Sequence, residues 1–445
     1  MKVIIIGASF AGVAAALEAR KNNSDAEIIL LEKQPTLGYI PNGLHLYWEN
    51  KISDLNSAYF ITKEQLEKQN IHCYLEASVE KVHTNRKIVE YIYHGKEETI
   101  TYDKLILATG SSQLSQKISG SDGDHVLKYK RYHEAENALT KIEASHSVAI
   151  IGAGQVGVEV ADLLSKQGKK VTLIENMDYI LFKYFDEDMV QPAQQKMLEQ
   201  GINLRLNQTV SAIETEGEQP VTVRFGNDSV TSDTVILGVN VRPDLHFLDE
   251  HIKLHMDQTI AVDRYMRTSV KDVFAVGDCI QLAYGDGDDT AYIPLVNNAV
   301  RTGIVAAKNL SEPKMAFKGS LRTIGTFIFG YYIASTGITE AESVFTDQTV
   351  KAYRQEVRLT SLPDSDTVTI KWVYDATSHV LLGSQMVSKS NILEKINTLA
   401  LAIQTKQTLE ELQQKDYFFH PSFTQMIATT NLVSWLEERA DKHEN

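Results

Sequence analysis

Two glycine-rich loops, each between a short apolar run and a helical segment, constrain the fold of this chain more than any other feature. Residues 7–12 read Gly-Ala-Ser-Phe-Ala-Gly and follow an apolar run at residues 2–6, while residues 152–157 read Gly-Ala-Gly-Gln-Val-Gly and follow another such run. After each helical segment comes a second apolar run that ends in a glutamate, Glu32 or Glu175. This order of strand, glycine loop, helix and strand predicts two dinucleotide-binding βαβ units.

The second loop carries all three glycines that a dinucleotide requires. Gly152 permits the tight turn, Gly154 lets the backbone approach the diphosphate, and Gly157 lets the helix pack closely on the strand. Glu175 is placed to accept hydrogen bonds from a ribose diol, and its charge would repel a 2′-phosphate, so the loop favours NADH over NADPH. The first loop has Ser9 in place of the middle glycine. One such loop is also compatible with plain helix–strand packing, but two in one chain favour nucleotide binding.

Composition narrows the class of protein further. The 445 residues carry 44 basic and 58 acidic side chains, for a formal net charge of −14, so the average surface would repel a nucleic acid backbone. No apolar run approaches the roughly 18 residues of a membrane-spanning helix, so we predict no membrane span. The two cysteines, Cys73 and Cys279, form no CxxC pair, which predicts a cytoplasmic protein without a disulfide framework or a metal site.

The rest of the chain completes the domain pattern. Residues 104–110 and 273–278 are β runs that lead into a glycine turn, which predicts strand ends that face a ligand. After about residue 320 the pattern changes to alternating strands such as residues 367–374, followed by a helical run at residues 391–404. The predicted fold class is therefore α/β, with two Rossmann-like dinucleotide-binding domains and a C-terminal α+β domain.

These motifs jointly resemble the flavoprotein disulfide reductases, in the branch that contains NADH oxidase, NADH peroxidase and coenzyme A disulfide reductase. The residues that carry the resemblance span the chain: both glycine loops, Glu32, Glu159, and residues 102–111, 238–243 and 268–278. The resemblance implies an FAD-binding domain at residues 1–112 and 244–320, an NADH-binding domain at residues 113–243, and a dimer-interface domain at residues 321–445. It also implies a homodimer.

The resemblance implies which residues contact the two cofactors. The FAD contacts would be Gly7, Ser9, Phe10, Ala11, Gly12, Glu32, Lys33, Asn42, Val79, Thr109, Gly110, Asp278 and Ala299, and the NADH contacts Gly152, Gly154, Gln155, Val156, Gly157, Glu175, Tyr184 and Gly238. Asp278 would bind the ribityl chain of the flavin, Glu159 would reach the nicotinamide region, and His420 would approach the flavin of the partner subunit. From the residues alone, His420 and His45 are equally compatible with packing or surface roles, and Glu159 with local stabilisation of its helix.

Three positions depart from the family's pattern. Asn42 stands where the family has its redox cysteine, Phe10 where oxidases and peroxidases have a supporting histidine, and Gln155 where relatives often have a tyrosine that shields the flavin. A thiolate or sulfenate is needed to cycle against a disulfide or a peroxide, and an amide does neither. Cys73 is interpreted as a core residue, whereas Cys279, near a predicted helix start beside the flavin, either packs or takes part in redox chemistry.

The expected catalytic set is Asn42, Phe10, Glu159 and His420. With no thiol at the flavin, the simplest expectation is an FAD-dependent NADH oxidase that reduces O2 to H2O2 instead of water. Two alternatives stay open from the sequence: an NADH dehydrogenase with a quinone, an organic molecule or a protein as its acceptor, and an NADH-binding flavoprotein with a signalling role and slow turnover. Coenzyme A disulfide reduction is disfavoured, because Asn42 cannot form the mixed disulfide.

Overall fold

The chain divides into two compact units. The computed structural model describes residues 1–113, 118–215, 220–239, 241–285, 287 and 289–424. The first unit comprises Met1–Lys117, Leu127–Glu143 and Asn240–Ser320, and the second comprises Ile118–Val126, Ala144–Val239 and Leu321–Asn445. The predicted interface domain extends past residue 424, so its last part lies outside the described residues.

The first unit is built on a five-stranded parallel sheet. Its strands, in spatial order, are Val273–Ala275, Lys104–Leu107, Lys2–Ile6, Glu27–Glu32 and Ile71–Leu75. Val3, Ile4 and Ile5 of the central strand are completely buried, as expected for a parallel strand that is covered on both faces. Because the strands run in the same direction, the residues that follow them meet at one edge of the sheet.

Helices and small antiparallel elements complete this unit. The helices are Phe10–Asn22, Gly43–Trp48, Lys63–Glu67, Tyr132–Ala144 and Val296–Lys308, with 3-10 turns at Leu55–Ser57 and Gly277–Cys279. A three-stranded antiparallel sheet contains Ala77–His83, Ile88–Tyr93 and Lys96–Thr101, and two short ribbons pair Ser112–Gln113 with Val241–Arg242 and Leu282–Ala283 with Thr290–Ala291. The first and last long helices approach closely at Gly303, where a Cβ would lie 2.4 Å from the carbonyl oxygen of Ala11.

The second unit contains a second parallel sheet. Its strands, in spatial order, are Asn203–Arg205, Lys170–Ile174, Ser147–Ile151 and Thr234–Leu237, with the short strand Val126–Leu127 at the edge. The helices in this part of the chain are Gln155–Lys166 and Glu187–Glu199. A three-stranded antiparallel sheet, Val210–Thr215, Val221–Phe225 and Asp228–Ser232, lies between the last two strands of the parallel sheet in the sequence.

The C-terminal part of the second unit is a five-stranded antiparallel sheet. Its strands, in spatial order, are Ile324–Ile328, Tyr331–Gly337, Leu381–Ser388, Thr367–Asp375 and Val350–Arg358. A 3-10 turn at Ala341–Phe345 and the helices Lys395–Gln404 and Leu409–Gln413 complete it. The helix predicted for residues 391–404 begins later, because the Asn391 side chain accepts a hydrogen bond from the Leu393 backbone N–H at 3.1 Å and holds a turn there.

The predicted fold class is confirmed. Two Rossmann-like parallel sheets and a C-terminal antiparallel sheet are present, one parallel sheet in each unit. The predicted segment boundaries at residues 112, 243 and 320 stay a prediction. Over the described ranges, no helix is long and apolar enough to cross a membrane.

Candidate dinucleotide-binding sites

The first glycine loop connects the central strand of the first unit to its first helix. Gly7 has φ +103°, and a Cβ there would lie 2.3 Å from the carbonyl oxygen of Ala108. A Cβ on Gly12 would lie 1.9 Å from the carbonyl oxygen of Gly7. Both clashes involve backbone atoms, so only glycine lets the helix begin directly against the strand end.

The helix that follows presents an uncapped N-terminus. Ser9 is its N-cap residue, with an extended backbone and no capping hydrogen bond from its side chain. Ser9 is exposed, Phe10 is half-buried, and Ala11 and Gly12 are buried. The first N–H groups of a helix favour phosphate oxygens, so this loop fits the diphosphate of a dinucleotide such as FAD.

Glu32 ties the end of the neighbouring strand to this loop. Its Oε2 accepts a hydrogen bond from the backbone N–H of Ala8 at 2.8 Å, and its Oε1 accepts one from the backbone N–H of Gln34 at 2.9 Å. Burial raises the pKa of the Glu32 carboxyl, although both hydrogen bonds oppose the rise. Lys33, which follows, is exposed. A carboxylate at this strand end suits the ribose diol of a nucleotide held by the loop.

Three polar side chains meet at the carboxyl ends of two neighbouring strands. Asp278 Oδ2 accepts hydrogen bonds from Lys130 Nζ at 2.9 Å and from Ser111 Oγ at 3.0 Å, and Lys130 Nζ also donates to Ser111 Oγ at 2.6 Å. The turn before Asp278 requires Gly277, which has φ +74° and lies against Ala11. Lys130 is absent from the predicted set, because no motif in the sequence marks it.

The other predicted FAD residues also lie in the first unit. Thr109 and Gly110 follow a strand of the parallel sheet, and Gly110 has φ +65°. Ala299 is buried on the last helix of the unit, and Val79 is half-buried beside a register shift in the antiparallel sheet. The structure therefore brings all the predicted FAD residues into one unit and all the predicted NADH residues into the other.

The second glycine loop repeats the geometry of the first. Gly152 has φ +101°, and a Cβ on Gly157 would lie 1.9 Å from the carbonyl oxygen of Gly152. A Cβ on Gly238 would lie 3.1 Å from the carbonyl oxygen of Ile151, so the neighbouring strand end also approaches closely. Gly154 is the exposed N-cap residue, and a Cβ there would have no contact within 4 Å among the described residues. The space before this helix is open to a diphosphate.

Glu175 repeats the contacts of Glu32. Its Oε2 accepts a hydrogen bond from the backbone N–H of Ala153 at 2.6 Å, and its Oε1 accepts one from the backbone N–H of Met177 at 3.0 Å. In both units the glutamate thus binds the second residue of its glycine loop. The residues present therefore fit a second dinucleotide such as NADH.

Glu159 lies one turn into the helix that follows the second loop. Its Oε1 accepts a hydrogen bond from Gln155 Nε2 at 3.0 Å and one from Thr326 Oγ1 at 2.6 Å. Gln155 and Glu159 are half-buried, Thr326 is buried, and Val156 is exposed. Thr326 is absent from the predicted set, because no spacing signal in the sequence connects it with Glu159, 167 residues away.

Tyr184 and His420 are the remaining predicted residues of the second unit. The backbone carbonyl of half-buried Tyr184 accepts a hydrogen bond from Ser335 Oγ at 2.6 Å. His420 is exposed, its Nδ1 accepts a hydrogen bond from the Ser422 N–H at 3.2 Å, and its ring centroid lies 4.7 Å from that of Phe423. The predicted approach of His420 to a flavin of the partner subunit stays a prediction.

Asn42 is the exposed N-cap residue of the short helix Gly43–Trp48. The next residue, Gly43, is closely surrounded, because a Cβ there would lie 2.5 Å from the hydroxyl oxygen of Tyr39 and 2.8 Å from the Cβ of Ala58. Tyr39 is buried, and its ring packs edge-on against the rings of Tyr59 and Tyr132, with centroids 5.6 and 5.7 Å away. Aromatic packing thus fixes the turn that carries Asn42.

Two further aromatic contacts surround this part of the first unit. The Phe10 ring stacks on that of Phe60, with centroids 4.2 Å apart and planes 11° from parallel. His45 is buried, and its Nε2 lies 3.3 Å from the hydroxyl of Tyr129. An apolar stack therefore occupies the position at which the resemblance places a histidine. The burial of His45 is compatible with a packing role.

Both cysteines are buried and free. Burial raises the pKa of the Cys279 thiol to about 12, and its Sγ donates to the carbonyl oxygens of Val276 at 3.1 Å and Leu107 at 3.4 Å. Burial also raises the pKa of the Cys73 thiol to about 11. A thiol in this state is a poor nucleophile at neutral pH, so the packing interpretation fits both residues.

Comparison with known families agrees with this geometry. Residues 1–303 match the pyridine nucleotide-disulphide oxidoreductase family, and residues 324–431 match the dimerisation domain of the same family. The chain belongs to the pyridine nucleotide-disulphide oxidoreductase family. The resemblance inferred from the glycine loops and their partner glutamates is thereby confirmed.

Individual relatives in this family align over nearly the whole chain. An NADH oxidase of Enterococcus faecalis is 30% identical over 98% of both chains. A solved oxidoreductase of the family, from Enterococcus faecalis, is 41% identical, covers 99% of this chain and 100% of its own, and has a TM-score of 0.90. A water-forming NADH oxidase from Lactobacillus brevis, solved with NADH bound, is 28% identical over 100% of both chains, with a TM-score of 0.95.

Proposed function

We propose that this protein is an FAD-dependent NADH oxidase that releases H2O2, with the balance NADH + H⁺ + O2 → NAD⁺ + H2O2. Two glycine loops with matching glutamates fit two dinucleotides, and relatives named NADH oxidase align over nearly the whole chain. Bound FAD would supply hydride acceptance from NADH and two-electron transfer to O2. The protein would act as a homodimer in the cytoplasm.

The proposal of H2O2 as the product is supported by the absence of a thiol at position 42, where the chain has an asparagine. Asn42 is an exposed amide, and Phe10, which stands where the family has its supporting histidine, is stacked on Phe60. Both cysteines, Cys73 and Cys279, are buried with raised pKa values. Reduction of peroxide to water needs a thiolate that becomes a sulfenate, so H2O2 would leave the enzyme unreduced.

The first unit would bind FAD, and the second unit would bind NADH. The first glycine loop and Glu32 would hold the adenosine diphosphate part of FAD. Asp278, whose carboxylate is held by Lys130 and Ser111, would bind the ribityl chain of FAD. The second loop and Glu175 would hold NADH, with the carboxylate selecting the 2′-hydroxyl form. These residues position the reactants, and none needs to form a covalent bond.

The ratio of H2O2 formed to NADH consumed in air is expected to be near one. This ratio is expected because the protein has no thiolate at the flavin that could reduce the peroxide to water. The ratio is measured with the FAD-loaded protein, an oxygen electrode and a peroxide assay. Cys279→Ser should leave it unchanged, because that thiol is buried and protonated. A ratio near zero with rapid turnover would contradict the proposal, and slow turnover in air with rapid reduction of a quinone would favour the dehydrogenase alternative.

Introducing the missing redox pair is expected to change the product. In a variant with both Asn42→Cys and Phe10→His, peroxide per NADH should fall clearly below the wild-type value, because the new thiolate reduces H2O2 to water and a second NADH restores it. The matched controls Asn42→Ser and Phe10→His alone should stay near the wild-type ratio. If the double variant has a titratable thiol and still releases one peroxide per NADH, Asn42 does not occupy the reactive position.

A further inference from the structure

We propose that Thr326 and Gln155 are positioning residues for NADH, which hold the carboxylate of Glu159 in the orientation that receives the nicotinamide end of the dinucleotide. This inference rests on the proposed function. Both side chains donate to the same oxygen, Oε1 of Glu159, Thr326 from 2.6 Å and Gln155 from 3.0 Å. Thr326 lies on the strand Ile324–Ile328 of the C-terminal sheet. That sheet therefore contributes one side chain to the proposed NADH site of its own unit.

The position of Glu159 on its helix indicates which part of NADH it would contact. The first turn of the helix Gln155–Lys166 faces the site of the diphosphate, and Glu159 lies on the next turn. Glu175 fixes the adenosine end of a dinucleotide, so the nicotinamide end must extend from the diphosphate in the other direction. The carboxamide of nicotinamide carries N–H donors, and a carboxylate is purely an acceptor.

Two hydrogen bonds to one oxygen restrict the carboxylate strongly. A free glutamate side chain samples many rotamers, and ordering it on ligand binding costs conformational entropy. Charge-assisted hydrogen bonds are among the strongest available in proteins, so Thr326 and Gln155 order Glu159 before NADH arrives. Preorganisation of this kind increases affinity without adding a contact to the ligand.

The neighbouring contacts keep Thr326 in place. Its strand Ile324–Ile328 pairs with Tyr331–Gly337 and lies against the nucleotide-binding helix, where Lys166 Nζ sits 5.5 Å from the centroid of the Phe327 ring. Thr326 is only 7% exposed, so its hydroxyl has little access to water and is committed to Glu159.

The test compares Thr326→Val, which removes the hydroxyl, with Thr326→Ser, which retains it. Thr323→Val is the matched control, because the Thr323 hydroxyl bonds to that of Thr336, at 2.7 Å, and among the described residues makes no hydrogen bond to Glu159. NADH binding to the dithionite-reduced holoenzyme is measured by calorimetry without oxygen. The dissociation constant should rise about tenfold in Thr326→Val, return toward the wild-type value in Thr326→Ser, and stay unchanged in Thr323→Val.

A second readout separates positioning from simple structural support. The rate of flavin reduction by NADH should fall in Thr326→Val, whereas the rate of reduction by dithionite and the melting temperature should match those of Thr323→Val. Equal NADH dissociation constants in the two valine variants, or no rescue by serine, would overturn the inference. Failure of the proposed function would look different, because NADH would then not reduce even the wild-type flavin.

Discussion

Replacing Lys371 by methionine is expected to destabilise the second unit by about 3 kcal/mol, the range in which removal of one member of a buried ion cluster falls. Lys371 is 5% exposed in the C-terminal sheet. Its Nζ lies 2.6 Å from Glu340 Oε2, 2.8 Å from Asp188 Oδ1 and 3.3 Å from Asp186 Oδ2. Methionine fills a similar volume but leaves buried Asp186 without its cation.

The cluster is expected to matter because it joins two distant parts of the chain. Asp186 precedes the helix Glu187–Glu199, and it also accepts hydrogen bonds from Gln385 Nε2 at 2.6 Å and from the backbone N–H groups of Glu340 and Ala341 at 3.0 Å. Loss of Lys371 thus weakens the attachment of the C-terminal sheet to the helix Glu187–Glu199. A change of about 3 kcal/mol corresponds to about 6–12 °C in Tm for a unit of this size.

The effect should depend on pH in a defined direction. Burial alone would lower the pKa of Lys371, but hydrogen bonds to Asp188 and Glu340 and the charge of Asp186 outweigh it and raise the pKa above the ordinary 10.5. The stabilisation is therefore complete below the pKa of the unfolded state, about 10.4, and is lost as the pH rises through the folded pKa. The Tm values of wild type and Lys371→Met should therefore approach each other as the pH rises through the folded pKa of Lys371.

A matched control is available one strand away. Lys351 is exposed on the neighbouring strand, so Lys351→Met removes the same charge and should change stability by less than about 0.5 kcal/mol. Thermal unfolding of the FAD-loaded proteins at one protein concentration measures both variants. Equal Tm values for the two variants would show that the cluster contributes nothing beyond a surface charge.

The sequence allowed the nucleotide-binding units to be predicted because their constraints are local. A Cβ on Gly12 or on Gly157 would clash with the backbone carbonyl of the glycine five residues earlier, and this requirement leaves a fixed spacing in the sequence. The closing glutamate follows at a distance set by one helix and one strand. Local chemistry of this kind can be recognised without coordinates.

The contacts that complete the sites could not be predicted in the same way. Lys130 reaches Asp278 across 148 residues, and Thr326 reaches Glu159 across 167 residues. A single lysine or threonine in a strand or loop belongs to no periodic pattern and no fixed spacing, so the sequence does not indicate which residue it contacts. The same holds for the stack of Phe10 on Phe60, which follows from the path of the chain and not from the glycine motif.

Replacing Glu175 and Asn176, which lie where the second loop would meet the adenosine ribose, is expected to reverse the preference for NADH over NADPH. The wild type should favour NADH, because the Glu175 carboxylate accepts from a ribose hydroxyl and repels a 2′-phosphate. In a Glu175→Ala, Asn176→Arg variant the repulsion disappears and an exposed guanidinium gains a phosphate partner. The ratio of kcat/KM for NADPH over NADH should rise by about two to three orders of magnitude, as expected for two interactions of about 1.5–2 kcal/mol each.

The control for this exchange must preserve the loop while removing the charge. Glu175→Gln keeps a carbonyl oxygen that can accept a hydrogen bond from the Ala153 N–H, which lies 2.6 Å from Glu175 Oε2 in the wild type. This variant should therefore lose part of its preference for NADH, with little increase in kcat/KM for NADPH. Glu32→Gln is the matched change in the first loop, and it should weaken FAD retention while leaving the coenzyme preference unaltered. If Glu32→Gln shifted the preference and the Glu175 variant did not, the two glycine loops would have to exchange their assigned nucleotides, because each glutamate reports only on the ribose bound beside it.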